Sequence, residues 1–512
     1  MLRLAWLDRY ISFFIIALLY CSTSCKDNLE ETPALFFANP KNESVLWNTV
    51  TLDLNSSAVV GDKIDLFLSD SLIGTITQSP YTFNLNTKSI QDGNYVLKAI
   101  SAGDQTTAFV KISIRNNLLV LNVDNNHLTS GTRGFLFLSD REGTTLTSVE
   151  LKNGDQIKIS NENYPYENFI LSEAYVTGTR AMSIYSFQEV PRGEWTLLKK
   201  NEYPGIINNI GLDFTDISSA YYYVSSSGDA EFLYSKSSMD LSINKTPTKL
   251  FIREFNNSVN RFKIVHDLNP MGRQTISLSD ISTPLDIEKI VLSGGTNKRG
   301  TVRLFGFPTG NNFQEYYNLG IFFSKNAEIK IEYPGNGFPV YGSTSFYKDD
   351  DITINSFQLG KKSDLLPFNV EVSFKRTAIL TATVSTFGDI DMFAASWSYF
   401  NEKSNTSAYW AMFGPPGRSQ IIKLPELPGE IKIAALNVNM SELEFSNTLE
   451  VTNFDIAADY PSYLKYVSQH SFAGPYAFGK SWKEQIFSKS GSTRGKTTGQ
   501  DFTSLSDQFF RK

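Results

Sequence analysis

The sequence predicts an all-β fold of tandem β-sandwich domains, and three observations carry that prediction. Short segments such as VTLDL, KIDLFL, YTFNL, NYVLKAI, FVKISI, GFLFL, DQIKI, FKIVH, AEIKIEY, VEVSF, ILTATVST and EIKIAAL are rich in β-branched and aromatic residues. Gly, Asn, Asp and Pro clusters bound them, as turns bound strands. Sustained helical periodicity is nearly absent. The third observation is size: 512 residues with 41% hydrophobic and 13% aromatic content exceed the about 250 to 300 residues that one core serves, so several cored domains are expected. At this density of short strands and turns, sandwiches are the leading architecture.

The first residues stand apart. Arg3 and Arg9 precede an apolar run from Ile11 to Leu19, shorter than the about 20 helical residues that span a bilayer, so residues 1–24 read as a secretory signal. Ser22, Thr23 and Ser24 supply small residues in front of Cys25, whereas bulky Tyr20 precedes Cys21. The stretch CSTSCKDNLEE resembles a bacterial lipoprotein signal, with Ser22 where that family usually has leucine. The resemblance implies that Cys25 is acylated. It also makes residues 25–32 an anchor and export signal, in which Lys26, Asp27, Glu30 and Glu31 match the Lys-then-acidic pattern of outward-facing lipoproteins. An outer-membrane, lipid-anchored protein facing the cell exterior is the expectation. Cys21 and Cys25 are the only cysteines, so the processed chain folds by apolar burial without disulfides.

Residues 33–116 form the clearest unit. Ile64, Leu66 and Leu68 alternate with Asp65 and Phe67, as in a strand with one buried face, and Asp92-Gly93 suits a turn that needs positive φ. The run KIDLFLSDSLIGTITQSPYTFNLNTKSIQDGNYVLKAI resembles bacterial immunoglobulin-like domains. Leu72, Ile73, Gly74, Thr75, Pro80, Tyr81, Phe83, Asp92, Gly93 and Tyr95 carry the match, which implies a spacer domain.

Beyond it the chain echoes itself. FILSEAYVTGTRAMSIYSF (169–187) aligns with IVLSGGTNKRGTVRLFGF (290–307), and the tetrapeptide EYPG follows at Glu202 and Glu332. A second echo places Gly143, Gly272 and Gly417 in equivalent turns. These offsets predict three β-sandwich units at 117–246, 247–365 and 366–488, followed by a polar tail at 489–512.

Composition excludes some functions. A net charge of −6 and pI near 5.4 provide no basic field for nucleic acid. The tail sequence SGSTRGKTT approaches a phosphate loop but has Ser490 for the first glycine and lacks the strand and helix that a loop of this kind needs. His127, His266 and His470 are the only histidines and form no metal-ligand spacing, so neither metal nor cofactor is expected. Asp349, Asp350 and Asp351 lack alternate calcium-ligand spacing. No GxSxG elbow occurs. Two carboxylates of a glycoside hydrolase need no motif, so a surface hydrolase stays open as an alternative.

Aromatic clusters remain. In SWSYFNEKSNTSAYWAMFG, Trp397, Tyr399, Tyr409 and Trp410 flank an exposed polar loop, and Tyr316 and Tyr317 stand near another turn. Rings with a flat apolar face and a polar edge suit sugars and protein hot spots, so these six are the candidate binding residues. On alternating strands, half of such rings turn into the core. The architecture of anchor, spacer and distal β units resembles surface glycan-binding lipoproteins. The expected function is therefore non-catalytic binding of a polysaccharide or a surface protein, with an adhesion or structural role as the other alternative.

Overall fold

The computed structural model describes residues 35–488 apart from internal stretches, the longer of which are 57–62, 199–207, 244–248, 256–259, 293–297, 310–315 and 471–480. The expected signal, Cys25, the export residues Lys26, Asp27, Glu30 and Glu31, and the tail lie outside the described residues. The described residues are predominantly β, with strands in eight sheets. Contacts divide the chain between Asn116 and Asn117.

The first unit is a sandwich of two sheets. Strands Leu35–Asn39, Thr49–Ser56 and Thr82–Asn86 form one; the other runs Ser44–Leu46, Thr107–Ile114, Gly93–Ser101, Ile64–Leu68, Ser71–Ile76. Alternation places Ile64, Leu66 and Leu68 inward, with Leu97 and Ile114 inward on neighbouring strands of the same sheet and Leu52 in the opposite sheet sharing their core. Gly74 has a packing role, since a Cβ there would lie 2.3 Å from the Phe83 ring. Gly74→Ala is therefore expected to cost about 1 to 3 kcal/mol by overpacking, read as a lowered urea midpoint; an unchanged midpoint would mean that the ring swings aside freely. One expectation is corrected: Gly93 is the first residue of its strand and not among the positive-φ glycines. The turn is held instead by Asp92 Oδ1, which accepts from the Asn116 backbone N–H at 2.8 Å.

The second unit holds four modules of one topology. Each has a hairpin whose first strand pairs with a third, which pairs with a fourth. In order of pairing these are Thr145–Leu151, Thr132–Ser139, Asn168–Thr177 and Ala181–Pro191 in module I. Module II has Asp229–Leu233, Tyr221–Ser226, Lys249–Phe255 and Arg261–His266. Module III has Tyr317–Ser324, Arg299–Phe307, Val340–Lys348 and Ile352–Leu359, and module IV has Thr406–Gly414, Met392–Asn401, Glu444–Phe454 and Trp482–Ser488. A smaller sheet covers each: Leu119–Val123 between Gln156–Ile159 and Gly193–Leu197 in I, Asn208–Thr215 between Ser238–Ile243 and Arg273–Ser277 in II, Asp286–Val291 beside Glu328–Tyr333 in III, and Thr381–Gly388 between Val370–Ala378 and Gly417–Lys423 in IV.

Three modules share one 12-stranded sheet. Ala181–Pro191 of module I runs parallel to Thr406–Gly414 of module IV, from Ala181 opposite Ser407 to Phe187 opposite Phe413. Trp482–Ser488 of module IV pairs antiparallel with Ile352–Leu359 of module III. Both faces of this sheet are covered along much of its width, so its strands are apolar without alternation. In GFLFLS, Leu136 and Leu138 enter one core while Phe135 and Phe137 enter the other.

This topology corrects the three-unit division. A boundary at 246/247 cuts module II, because Tyr221–Ser226 pairs with Lys249–Phe255 across it. A boundary at 365/366 falls in a connection, but the paired strands Ile352–Leu359 and Trp482–Ser488 lie on either side of it. The echoes join positions that are not equivalent. Residues 169–187 form a hairpin, whereas 290–307 span two strands of different sheets. Gly143 sits at φ 87° in a hairpin turn, Gly417 opens a strand, and Gly272 and the Glu202 tetrapeptide lie outside the described residues.

One expected strand is a helix, and a second helix among the described residues falls where no strand was expected. EIKIAAL belongs to α1 (Gly429–Ala434), since Ile431, Ala434 and Ala435 are buried at helical spacing. Helix α2 (Tyr460–His470) buries Tyr460, Tyr463, Leu464 and Val467, a period of three and four. Asp459 Oδ1 accepts from Ser462 N–H at 2.9 Å and caps its start.

Candidate functional site

The predicted hairpin platform is not there. Trp397 is 0% and Trp410 1% exposed, both in the core on one face of the large sheet. Trp397 lies edge-on to Phe445 at 5.1 Å, and Trp410 Nε1 donates to Ser186 Oγ at 2.8 Å. Tyr399 shares that core, and its hydroxyl accepts from Asn439 N–H at 2.8 Å. The loop from Glu402 to Asn405 is exposed, but the rings beside it point inward because the sheet is covered where they stand.

Tyr409 emerges on the opposite face, half-buried and 6.2 Å from the Tyr185 ring. Burial pushes its hydroxyl well above the usual range, with Glu450, Tyr185 and Glu484 adding to the shift. Tyr185 is pushed up to about 12 by burial and by Glu173. Glu484 is fully buried and accepts from Asn355 Nδ2 at 3.0 Å. The group belongs to a polar layer inside the sheet packing. A comparable layer in module I joins His127 Nε2 to the Tyr175 hydroxyl (2.9 Å), with Glu173 accepting from Tyr175 (3.0 Å) and Trp195 Nε1 (2.9 Å).

Tyr316 and Tyr317 lead elsewhere. Tyr316 is half-buried against Phe305 at 5.2 Å. Tyr317 is fully buried, donates its O–H to Lys249 O at 3.2 Å, and packs on Phe338 at 5.3 Å. Phe338 in turn meets the Tyr341 ring at 6.0 Å, and Tyr341 meets Tyr333 at 6.0 Å. This aromatic relay ends at an open depression of about 470 Å³ lined by Glu288, Pro339, Val340, Tyr341, Gly360 and Lys361.

Module III builds this depression from short, stiff pieces. Tyr333 closes the strand Glu328–Tyr333, Tyr341 is the second residue of Val340–Lys348, and the turn between them carries Pro334 and Pro339. The Tyr341 hydroxyl donates to Pro334 O. Gly360 stands at φ 121° with open space where a Cβ would be, and its N–H reaches Tyr341 O at 2.7 Å. The ammonium of Lys361 then sits 4.2 Å from the Tyr333 ring centre and 4.7 Å from that of Tyr341, a cation over two π faces. Burial raises the Tyr333 hydroxyl, and the carboxylates Glu288 and Asp286 raise it further. The lining thus offers the edge of one ring, Tyr341, which is 6% exposed, together with an ammonium and one carboxylate, Glu288; Tyr333 meets Lys361 and Tyr341 beside it.

Sequence reasoning missed Tyr333, Tyr341, Lys361 and Glu288. The EYPG tetrapeptide was the available signal, since it contains Tyr333. Among the described residues no cluster of three or more His, Cys, Asp or Glu has metal-binding geometry, and Asp349 Oδ1 accepts from Ile352 N–H at 2.8 Å in a strand turn. No helix among the described residues is long and apolar enough to cross a membrane.

The fold is that of an all-β protein of tandem sandwiches, with an open depression in module III. Its N-terminal domain is a bacterial immunoglobulin-like domain: residues 33–99 match the family model of the bacterial Ig domain. No curated protein matches the chain. Among solved structures, the fibronectin(III)-like modules of Clostridium thermocellum CbhA align at 17% identity over 16% of this chain and 94% of theirs, with a TM-score of 0.13. The BSP domain of a biofilm associated protein aligns at 12% identity over 31% of this chain and 29% of its own, with a TM-score of 0.13. The Bacillus anthracis TIE protein aligns at 10% identity over 62% and 70%, with a TM-score of 0.15.

Proposed function

We propose that this chain is a non-catalytic, lipid-anchored protein of the bacterial outer surface, that it binds glycan, and that module III makes the contact. The observation that carries the reading is the depression lined by Tyr341, Lys361 and Glu288, with the Tyr333 ring beside it under Lys361. Aromatic faces beside one ammonium and one carboxylate match the alternation of C–H faces and hydroxyls on a sugar, and few convergent polar groups in a concave apolar surface are the usual mark of a ligand site. Hydrolysis of a glycoside needs two carboxylates about 5 to 9.5 Å apart on either side of the bond, and the lining supplies one. The N-terminal immunoglobulin-like domain is consistent with a spacer in the chain between the anchor and the modules.

Two experiments test this reading. Tyr333→Ala is expected to weaken glycan binding by about 1 to 3 kcal/mol on a polysaccharide panel while thermal unfolding stays close to that of the unaltered chain, because Tyr333 is half-exposed. A chain that binds nothing on the panel would favour a protein partner instead, and the adhesion role with it. Separately, Cys25→Ala is expected to abolish incorporation of labelled fatty acid in cells. Persistent label would overturn the anchor assignment.

A further inference from the structure

The outer face of the first unit's five-stranded sheet breaks the rule that a solvated sheet face is polar. Four adjacent strands place Leu72, Phe67, Lys98 and Phe109 directly opposite one another, in that order. Such partners have Cβ atoms about 5 Å apart and form one continuous surface. Phe109 is 70% exposed and Leu72 59%. Val96 and Lys111, paired with each other, extend the face on one side, and the half-buried Ile100 extends it on the other. The inward side chains of these same strands, Leu66, Leu97, Ala99 and Ile112, already complete the core. The outer rings therefore contribute nothing to it.

The charges on this face decide what covers it. Lys98 and Lys111 stand among the apolar side chains, and Asp65, the one carboxylate in these rows, is neutralised by Lys63 at 3.2 Å. Asp70 lies at the rim, in the turn before Leu72. A second copy of the chain is a poorer occupant, since a two-fold contact would bring four ammonium groups onto one apolar face, with carboxylates only at its border, at Asp70 and at Glu43, whose N–H donates to Lys111 O at 2.7 Å. Exposed rings and aliphatics interspersed with lysines are instead the composition that enters a headgroup layer, apolar groups below and ammoniums level with phosphate.

We propose that this sheet face docks on an anionic lipid surface, with Leu72, Phe67, Val96 and Phe109 entering the interface and Lys98 and Lys111 meeting phosphate. The proposal adds to the lipid-anchor reading without resting on it. If Cys25 is acylated, the ten residues to Leu35 span at most about 35 Å, which keeps the face within reach of the membrane and raises its effective concentration there. The first unit would then lie against the surface instead of standing upright as a stalk.

The test uses the chain from Lys26 onward, which lacks Cys25, in co-sedimentation with vesicles of phosphatidylcholine alone or mixed with phosphatidylglycerol. Binding to the mixed vesicles is expected, weakening as salt is raised. Lys98→Glu with Lys111→Glu, and separately Leu72→Ser with Phe109→Ser, are each expected to lower it by about tenfold or more. Thermal unfolding of the lysine variant stays unchanged, because both side chains lie outside the core; this keeps the test sound if the apolar variant folds poorly. Absence of binding to either vesicle, equal binding to both, or a lysine variant that binds like the original chain would each overturn the proposal.

Discussion

Trp410→Ala is expected to lower the folding stability of the second unit by about 3 to 5 kcal/mol, the usual cost of emptying a buried aromatic site. The ring is almost wholly enclosed, lies edge-on to Phe137 at 6.3 Å, and its indole N–H is satisfied by Ser186. Ser186 belongs to module I and Trp410 to module IV, so the loss also loosens the parallel seam between them. Trp397→Ala is expected to cost a similar amount for its volume. Replacement by phenylalanine separates the two positions. Trp397 Nε1 has no acceptor within the core, so Trp397→Phe removes a buried donor that was already unsatisfied and costs little beyond the change of shape. Trp410→Phe removes the indole N–H from Ser186 Oγ, which keeps only Ser172 Oγ at 2.7 Å, and costs about 1 kcal/mol more. Chemical denaturation of the four variants reads these differences. Glycan binding unaccompanied by any stability loss in the alanine variants would contradict the buried placement.

The second large effect is expected at the junction of modules II and III. Arg253 of module II and Glu332 of module III form an ion pair with both side chains less than a tenth exposed. Asn260 also donates to Glu332, and Lys330 Nζ lies 2.8 Å from its other oxygen. Arg253 stands 4.3 Å from the Phe255 ring and 5.2 Å from that of Phe322. Glu332→Gln leaves a guanidinium buried without its counter-charge, at an expected cost of about 3 to 5 kcal/mol. Arg253→Met combined with Glu332→Leu is expected to cost far less, because a desolvated pair is often exchanged for apolar packing with little loss. Equal effects of the single and double changes would mean that packing, and not the uncompensated charge, sets the cost.

The same carboxylate shapes the acid response. Burial alone would raise the Glu332 carboxyl, but the hydrogen bonds from Lys330 and Asn260 and the charges of Arg253 and Lys330 outweigh it and hold the group below the usual range. A carboxylate depressed in the folded state stabilises the fold above its unfolded value, about 4.3, and that contribution disappears as pH falls through the folded value. In Glu332→Gln this part of the acid-induced loss is expected to be missing. A stability profile that keeps the same slope below pH of about 4 would count against it.

Local patterns in the sequence were sufficient for the strand texture and for the first domain. IDLFL alternates because one sheet face is buried. The glycine of LIGT sits under the phenylalanine of PYTF, so these two motifs are halves of one contact. Residues near in sequence decide such features, and their side chains carry the evidence. Helix α2 was legible in the same way, through Asp459 and the spacing of Tyr460, Tyr463, Leu464 and Val467, although the surrounding strand-rich text obscured it.

Other features depended on partners far along the chain. Whether Trp410 or Tyr409 faced solvent was undecided by alternation, which places them on opposite faces but does not say which face is covered. That answer came from the pairing of Ala181–Pro191 with Thr406–Gly414, more than 200 residues apart. The number of modules was hidden because their shared topology does not require shared sequence: any side chains of suitable size and polarity satisfy the same hydrogen-bonded ladder, so the apparent echoes fell on strands that are not equivalent. The depression at Tyr333, Tyr341, Lys361 and Glu288 draws on four separate places in module III. Composition and spacing determined that this chain is a string of β-sandwiches. Only the closing of strands across long intervals decided which rings became core and which became surface, because burial is a property of the neighbours a residue meets and not of the residue alone.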